Sequence, residues 1–176
     1  MPPNRALQRT GLRPAAERDN VSQTRQAPME EWVKEQTRSE WRELGFFYDR
    51  LDTPKEWLVV GSRSGLLMFA NLLRAYVADP RNVAKSEHEH YGPYMYLEVM
   101  TWPDAGFDAH AIHGPLEELT RLAMLVEAEV ATLHPGARSR IRETFSPASE
   151  YALVLEMRED GFDPASADAN VVGVAG

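Results

Sequence analysis

Residues 62–77 read SRSGLLMFANLLRAYV and contain the pattern that decides the fold. A capping serine, Ser62 or Ser64, begins the stretch and a proline follows at position 80, so the segment predicts one helix. Its apolar residues recur at the three- and four-residue spacing that places side chains on one side of a helix. They are Leu66, Phe69, Ala70, Leu73 and Val77. We therefore expect a helix that buries this stripe in a core.

A second stretch has the same pattern. Residues 115–130 read PLEELTRLAMLVEAEV and predict another helix, with Pro115 in its first turn. Gly114 precedes this helix as Gly61 precedes the first, 53 residues earlier. Each apolar residue of the second stripe also follows its counterpart by 53 positions: Leu119, Leu122, Ala123, Val126 and Val130. The shared register indicates an internal duplication, with repeats of about 46–102 and 103–159.

Strand-like segments flank both helices at equivalent places. Each helix is preceded by a short apolar run, WLVV or AHAI, and followed by two runs with the alternation of strands. The unit is β-α-β-β, present twice, and a short helix from about Met29 to Leu44 stands in front of it. Strands pair locally and helices bury their stripes, so we predict an α+β fold with one mainly antiparallel sheet and both amphipathic helices on one face. The other face of that sheet would be open to water or to a partner.

Composition divides the chain into a core and two tails. Residues 1–28 carry five arginines, two acidic residues and no periodic apolar pattern, which predicts a disordered basic tail. That tail is either a basic arm for an acidic surface or a stretch ahead of a natural start at Met29. Residues 29–162 form the predicted single α+β domain. Residues 163–176 are rich in small side chains and predict a disordered C-terminal tail.

Charge and composition restrict the classes of function. Residues 29–160 carry 14 basic and 23 acidic side chains, so a basic protein is a better partner than a nucleic acid, whose phosphates need a basic face. No apolar run has membrane-spanning length, and the first thirty residues lack a secretory signal. The chain has no cysteine, which excludes disulfides and thiolate chemistry and is typical of a cytoplasmic protein. These features leave the oligomeric state open.

Two histidines, His88 and His90, alternate with glutamate in SEHEHY, residues 86–91. On a strand they would share one face, and two imidazoles at this spacing can chelate a metal. His110 or His113 could supply a third ligand from a neighbouring strand, and a carboxylate such as Glu98 could complete the set. One interpretation is therefore a divalent metal at His88, His90 and His110, in a metal-dependent enzyme or ligand-binding protein. The other is a polar edge strand whose charges deter unwanted pairing, with no cofactor.

Aromatic side chains follow these histidines. Tyr94, Tyr96 and Glu98 would share one face of a strand. Tyrosine and tryptophan are over-represented at the energetic centres of protein interfaces, so we predict a binding surface there. Its members are Tyr91, Tyr94, Tyr96, Glu98 and Trp102, and its carboxylate suits a basic partner. The serines of GSRSG, residues 61–65, lack the spacing of a serine nucleophile elbow, and we predict no catalytic residue.

A resemblance to small bacterial immunity proteins of polymorphic toxin systems covers residues 59–99. The shared order is a strand leading to a glycine, a Gly-Leu pair, a leucine/alanine helix, a histidine-bearing strand and a closing strand. The second unit departs from it, because Glu118 stands where the first unit has Gly65. The matching residues are Gly61, Gly65, Leu66, Ala70, Leu73, His88, His90 and Leu97. The resemblance implies a non-catalytic protein-binding module that neutralises a toxin.

Overall fold

The computed structural model describes residues 29–173. The predicted basic tail, residues 1–28, lies outside the described residues. The helices within the described range are α1 (Glu31–Leu44), α2 (Arg63–Ala78) and α3 (Leu116–Thr132). The strands are β1 (Phe47–Leu51), β2 (Glu56–Gly61), β3 (His88–Tyr91), β4 (Leu97–Thr101), β5 (Gly106–Phe107), β6 (Ala111–Gly114), β7 (Arg138–Ile141) and β8 (Ala152–Met157). The α+β class and the short N-terminal helix are confirmed.

Both amphipathic helices bury the stripes that the sequence predicts. In α2 the first four stripe residues are buried, and Val77 packs partly buried against the core. All five stripe residues of α3 are buried. Ser62 is the N-cap of α2, and its Oγ accepts a hydrogen bond from the Gly65 amide at 3.3 Å. None of the helices in residues 29–173 combines the length and apolar character that crossing a membrane requires.

The two long helices run in opposite directions and are joined by polar contacts. Arg63, at the start of α2, donates to the backbone carbonyls of Val130 and Leu133 at the end of α3. The Arg74 guanidinium of α2 also donates to both carboxylate oxygens of Glu127 in α3, at 2.7 and 2.8 Å. These bonds fix the helix pair that both sheets share as a core.

The strands form two four-stranded sheets, which corrects the prediction of one sheet. The first sheet has the order β1-β2-β8-β7 and the second has the order β5-β6-β4-β3. In each sheet the two central strands are parallel and the outer strands pair antiparallel with them. Each sheet therefore joins one hairpin from the first half of the chain to one from the second half. Local patterning predicts the hairpins, and it does not specify which hairpins pair over a long sequence separation.

The two sheets match position by position in their register. Val59 pairs with Tyr48 in the first sheet, and Ile112, 53 residues after Val59, pairs with Phe107 in the second. Gly61 pairs with Met157, and Gly114 pairs with Thr101 in the same way. If two similar β-α-β-β units exchanged their hairpins, the two sheets would have this matching strand order. The repeat boundaries at 46–102 and 103–159 stay a prediction.

The C-terminal segment is ordered where the structure describes it, so the prediction of a disordered tail is wrong for residues 163–173. A 3₁₀ turn, Pro164–Ala167, packs near α1, and Val171 is fully buried. Arg42 binds the Asp163 carboxylate at 2.8 Å, and Arg38 donates to the Val171 carbonyl at 2.7 Å. Because small side chains dominate this segment, its sequence does not predict an ordered structure. A few buried groups and ion pairs hold the segment in place. Residues 174–176 lie outside the described range.

Candidate functional site

The predicted row of tyrosines is turned into the protein and does not form one exposed surface. Tyr91, Tyr94 and Tyr96 are half-buried, and each hydroxyl donates to a carboxylate. The hydrogen bonds run from Tyr91 to Glu89 at 3.0 Å, from Tyr94 to Asp168 at 2.6 Å and from Tyr96 to Asp49 at 3.1 Å. The sequence predicts a sheet face open to water here, and the structure corrects that prediction for Tyr91, Tyr94 and Tyr96.

The tyrosines pack where the β3–β4 loop meets the first sheet. We call this contact, formed by Tyr48, Tyr91, Tyr94 and Tyr96, the tyrosine junction. The ring of Tyr48 lies 4.9 Å from that of Tyr96 in an edge-on arrangement, and its hydroxyl donates to the Tyr91 carbonyl. Trp41 packs edge-on against Tyr48 at 5.1 Å. Such pairs stabilise beyond the area they bury, so the rings favour the interior over an exposed strand face.

A cleft of about 300 Å³ opens between the tyrosine junction and the C-terminal segment. Its walls combine aromatic rings with carboxylates, and we call it the acidic cleft. The residues that define it are Phe47, Asp49, Tyr94, Tyr96, Asp168 and Asn170. No lysine or arginine of residues 29–173 lines it.

The two carboxylates of the acidic cleft receive hydrogen bonds only from neutral donors within residues 29–173. Asp168 is 3% exposed and accepts from the Trp41 indole at 2.8 Å, the Tyr94 hydroxyl and the Asn170 amide at 2.9 Å. Asp49 accepts from the Arg50 amide and the Tyr96 hydroxyl. Neither carboxylate forms an ion pair with a described lysine or arginine. A cation near such groups is attracted more strongly than in water, because the surrounding protein has a lower dielectric constant.

The cleft tyrosines stay protonated and serve as donors at neutral pH. Burial raises the pKa of both Tyr94 and Tyr96 well above the usual value, and the hydrogen bond to Asp168 and the charge of Asp49, respectively, raise it further. Burial also raises the pKa of Tyr48 to about 12. The hydroxyls therefore hold the carboxylates in place as neutral donors.

The structure places Glu98 and Trp102 away from the acidic cleft. Glu98 lies on the more exposed face of the second sheet, where its Oε2 is 3.9 Å from His90 Nε2. Trp102 lines a different cavity, of about 350 Å³, with Val83 and Leu116. The Lys85 ammonium lies 4.5 Å above the Trp102 ring. The five residues of the predicted binding surface are therefore divided among separate places.

His88 and His90 share one side of β3, as predicted, with ring centroids 5.2 Å apart. His110 lies in the turn before β6, where its amide donates to Asp108 at 2.7 Å. Within residues 29–173, no group of three or more histidine, aspartate or glutamate side chains is placed to hold a metal ion. The interpretation of His88, His90 and His110 as metal ligands therefore lacks its third ligand among the described residues.

The matching contact in the other half of the fold is closed by the chain itself. The β7–β8 loop meets β5 at what we call the phenylalanine junction, formed by Phe107, Phe145, Ser149 and Tyr151. The rings of Phe107 and Phe145 lie 5.0 Å apart, and Ser149 Oγ accepts from the Phe107 amide at 3.0 Å. The Arg121 guanidinium lies 5.2 Å above Phe145 and donates to the Thr144 and Phe145 carbonyls at 2.8 Å. An arginine of α3 thus covers this junction.

Four residues of the acidic cleft escaped the sequence analysis: Phe47, Asp49, Asp168 and Asn170. Asp49 and Arg50 are the two charged residues of FFYDRL, residues 46–51, which is otherwise aromatic and apolar. Asp168 fell in the segment assigned to a disordered tail. The spacing of Asp168 and Asn170 is typical of an Asx turn, in which the side chain binds the amide two residues on, and it could have indicated local order.

No protein-family model matches the chain, and no curated protein or solved structure is similar to it. The resemblance to immunity proteins therefore stays a prediction carried by residues 59–99. What the protein can bind is argued from the geometry and charge of the acidic cleft.

Proposed function

We propose that the protein is a non-catalytic binding protein and that a basic protein docks at its acidic cleft. The observation that carries the proposal is the pair of carboxylates, Asp49 and Asp168, set in aromatic walls with neutral donors only among the described residues. A positively charged side chain of a partner would supply the counter-charge. It would also gain the faces of Tyr94 and Tyr96, which attract cations.

The charge of the whole described region supports a basic partner. Residues 29–173 carry 14 basic and 25 acidic side chains, a net charge of −11. A field of this sign raises the local concentration of a basic protein and speeds its association, most strongly at low salt. The acidic cleft would then fix the orientation of a partner that the net charge attracts.

Toxin neutralisation is the role that we propose for this binding. The resemblance at residues 59–99 implies it, and a protein that blocks a toxin by binding needs no catalytic residues of its own. A cytoplasmic location, which the lack of cysteine favours, belongs to the same proposal.

A capture experiment with matched variants tests the proposal. The full chain, its Asp49→Asn variant and its Glu98→Gln variant are immobilised and exposed to extract at low and high salt. Glu98→Gln is the control, because it removes a carboxylate of the second sheet outside the cleft. We expect a basic protein that the wild type and Glu98→Gln retain and that Asp49→Asn loses.

The captured protein is then purified and its affinity is measured directly. Loss of a partly buried charge partner predicts a Kd at least about tenfold higher for Asp49→Asn. If the captured protein is a toxin, co-expression of the wild type restores growth of cells that make it, and co-expression of Asp49→Asn does not. Equal binding to all three chains would contradict the cleft as the docking site.

A further inference from the structure

We infer that the acidic cleft takes an arginine side chain of the partner in preference to a lysine. The inference rests on the proposed function and names the chemical group that the partner inserts. It depends on three features of the cleft: the placement of its carboxylates, the faces of its rings, and the way in which the protein closes its matching junction.

The two carboxylates of the cleft come from two elements of the chain. Asp49 belongs to β1, and Asp168 follows the 3₁₀ turn of the C-terminal segment. The hydrogen bonds to Asp49 from residues 29–173 go to Oδ1, which leaves Oδ2 for a ligand. A guanidinium presents five N–H donors in a planar fork, whereas an ammonium is a compact, strongly hydrated charge. A guanidinium that bonds Asp49 Oδ2 keeps further N–H donors for other acceptors at the cleft, so this arrangement favours arginine over lysine.

Aromatic rings form part of the wall of the cleft. Tyr94 and Tyr96 lie nearly parallel, with an interplanar angle of 16° and centroids 6.4 Å apart. A guanidinium stacks on aromatic faces and is easier to dehydrate than an ammonium. The cleft volume of about 300 Å³ is at the lower limit for ligand pockets, which suits one side chain better than a folded element.

The phenylalanine junction shows the same chemistry within the protein. There, Arg121 lies over the ring of Phe145 and donates to two backbone carbonyls. At the tyrosine junction the oxygen acceptors are carboxylates, and no arginine of the described residues lines the cleft. An arginine from a partner would complete this junction as Arg121 completes the other.

The test uses short peptides and the full chain. The probes are acetylated and amidated Gly-Gly-Arg-Gly-Gly and its lysine and glutamine counterparts. The readout is the NMR signal of the Trp41 indole N–H, which donates to Asp168, with the Trp102 indole as an internal reference. We expect the arginine peptide to shift the Trp41 signal saturably, with a Kd about tenfold below that of the lysine peptide. Asp49→Asn should raise that Kd, and Glu98→Gln should leave it unchanged.

Each other outcome overturns the inference in an identifiable way. Equal Kd values for the arginine and lysine peptides would remove the preference and leave the proposal of a basic partner standing. A Trp41 signal that moves with none of the peptides would remove the cleft as an arginine site, while the capture experiment decides separately whether a basic protein binds. A Trp41 signal that moves when the five arginines of residues 1–28 are changed to glutamine, without peptide, would assign the cleft to the chain's own segment.

Discussion

At the phenylalanine junction the ring of Phe107 packs 5.0 Å from Phe145, and at the tyrosine junction the ring of Tyr48 packs 4.9 Å from Tyr96. The register of the two sheets places Phe107 and Tyr48 at matching positions. One junction is closed by an arginine of α3, and the other opens into a cleft with two carboxylates. The backbone framework is shared, so the side chains account for the difference between the two junctions.

The difference begins with the hydroxyl groups. A buried tyrosine hydroxyl needs an acceptor, and a phenylalanine needs none. Asp49 and Asp168 provide these acceptors at the tyrosine junction and bring two carboxylates to it. The two junctions therefore differ in their polar groups, and the binding that we propose belongs to the one with the carboxylates.

The largest effect is expected from removing the residue that joins the tyrosine junction to the C-terminal segment. Trp41 is fully buried, and its indole donates to Asp168, so Trp41→Ala should lower the free energy of unfolding by about 3–5 kcal/mol. Denaturant unfolding measures the loss, and hydrogen exchange should show residues 163–173 opening first. Trp102→Ala, at a half-buried tryptophan, should cost about 1 kcal/mol or less. Similar losses for both variants would contradict this role of Trp41.

Opening the phenylalanine junction should lower the free energy of unfolding by less than Trp41→Ala does. Arg121→Met removes two hydrogen bonds to carbonyls, the ion pair with Glu118 and the contact with the Phe145 ring, for a loss of about 1–2 kcal/mol. Hydrogen exchange should rise at residues 144–149. Arg81→Met is the control, because Arg81 is exposed and an exposed ion pair such as Arg81–Asp79 contributes about 0–1 kcal/mol to stability. Unchanged exchange in Arg121→Met would show that Arg121 does not close the junction.

A smaller effect is expected from single hydroxyls. Tyr96→Phe removes the donor to Asp49 and should lower the free energy of unfolding by about 0.5–1.5 kcal/mol. A double-mutant cycle with Asp49→Asn should show that the two changes are not additive. Tyr151→Phe, which removes a donor to the exposed Asp52, should have the smaller effect. A larger loss of unfolding free energy in Tyr151→Phe than in Tyr96→Phe would contradict the comparison of the two junctions.

The smallest effects are expected on the exposed face of the second sheet. His88→Ala and His90→Ala should each change the free energy of unfolding by less than about 0.5 kcal/mol, because both side chains are exposed. A chelator should leave the melting temperature unchanged, because within residues 29–173 no third ligand is placed to hold a metal ion with these histidines. Near-stoichiometric metal in the purified protein, lost in His88→Ala, would restore the metal interpretation.

Local patterns in the sequence predicted the helices and their buried stripes, because periodicity and capping act over neighbouring residues. Leu66 and Leu119 are buried as their spacing indicates, and Ser62 caps α2. The pairing of β2 with β8 and of β4 with β6 depends on contacts between distant hairpins, which local patterns do not encode. The single predicted sheet was wrong for that reason.

The candidate site was predictable only in part. Alternation correctly placed His88 and His90 on one side of β3, and the aromatic cluster indicated the region of Tyr94 and Tyr96. Alternation does not tell which side of a strand another element covers, so the packing of Trp41 against Tyr94 and of Tyr48 against Tyr96 was not foreseen. The partner carboxylate Asp168 comes from a segment with too few apolar residues to signal its order.

The central claim is that the acidic cleft binds a basic side chain, and one titration tests it most directly. The full chain is titrated with the arginine peptide while the indole signals of Trp41 and Trp102 are followed by NMR. The account predicts a saturable shift of the Trp41 signal that Asp49→Asn weakens, with the Trp102 signal unmoved. A Trp41 signal that stays in place, or one that moves equally in Asp49→Asn, would contradict it.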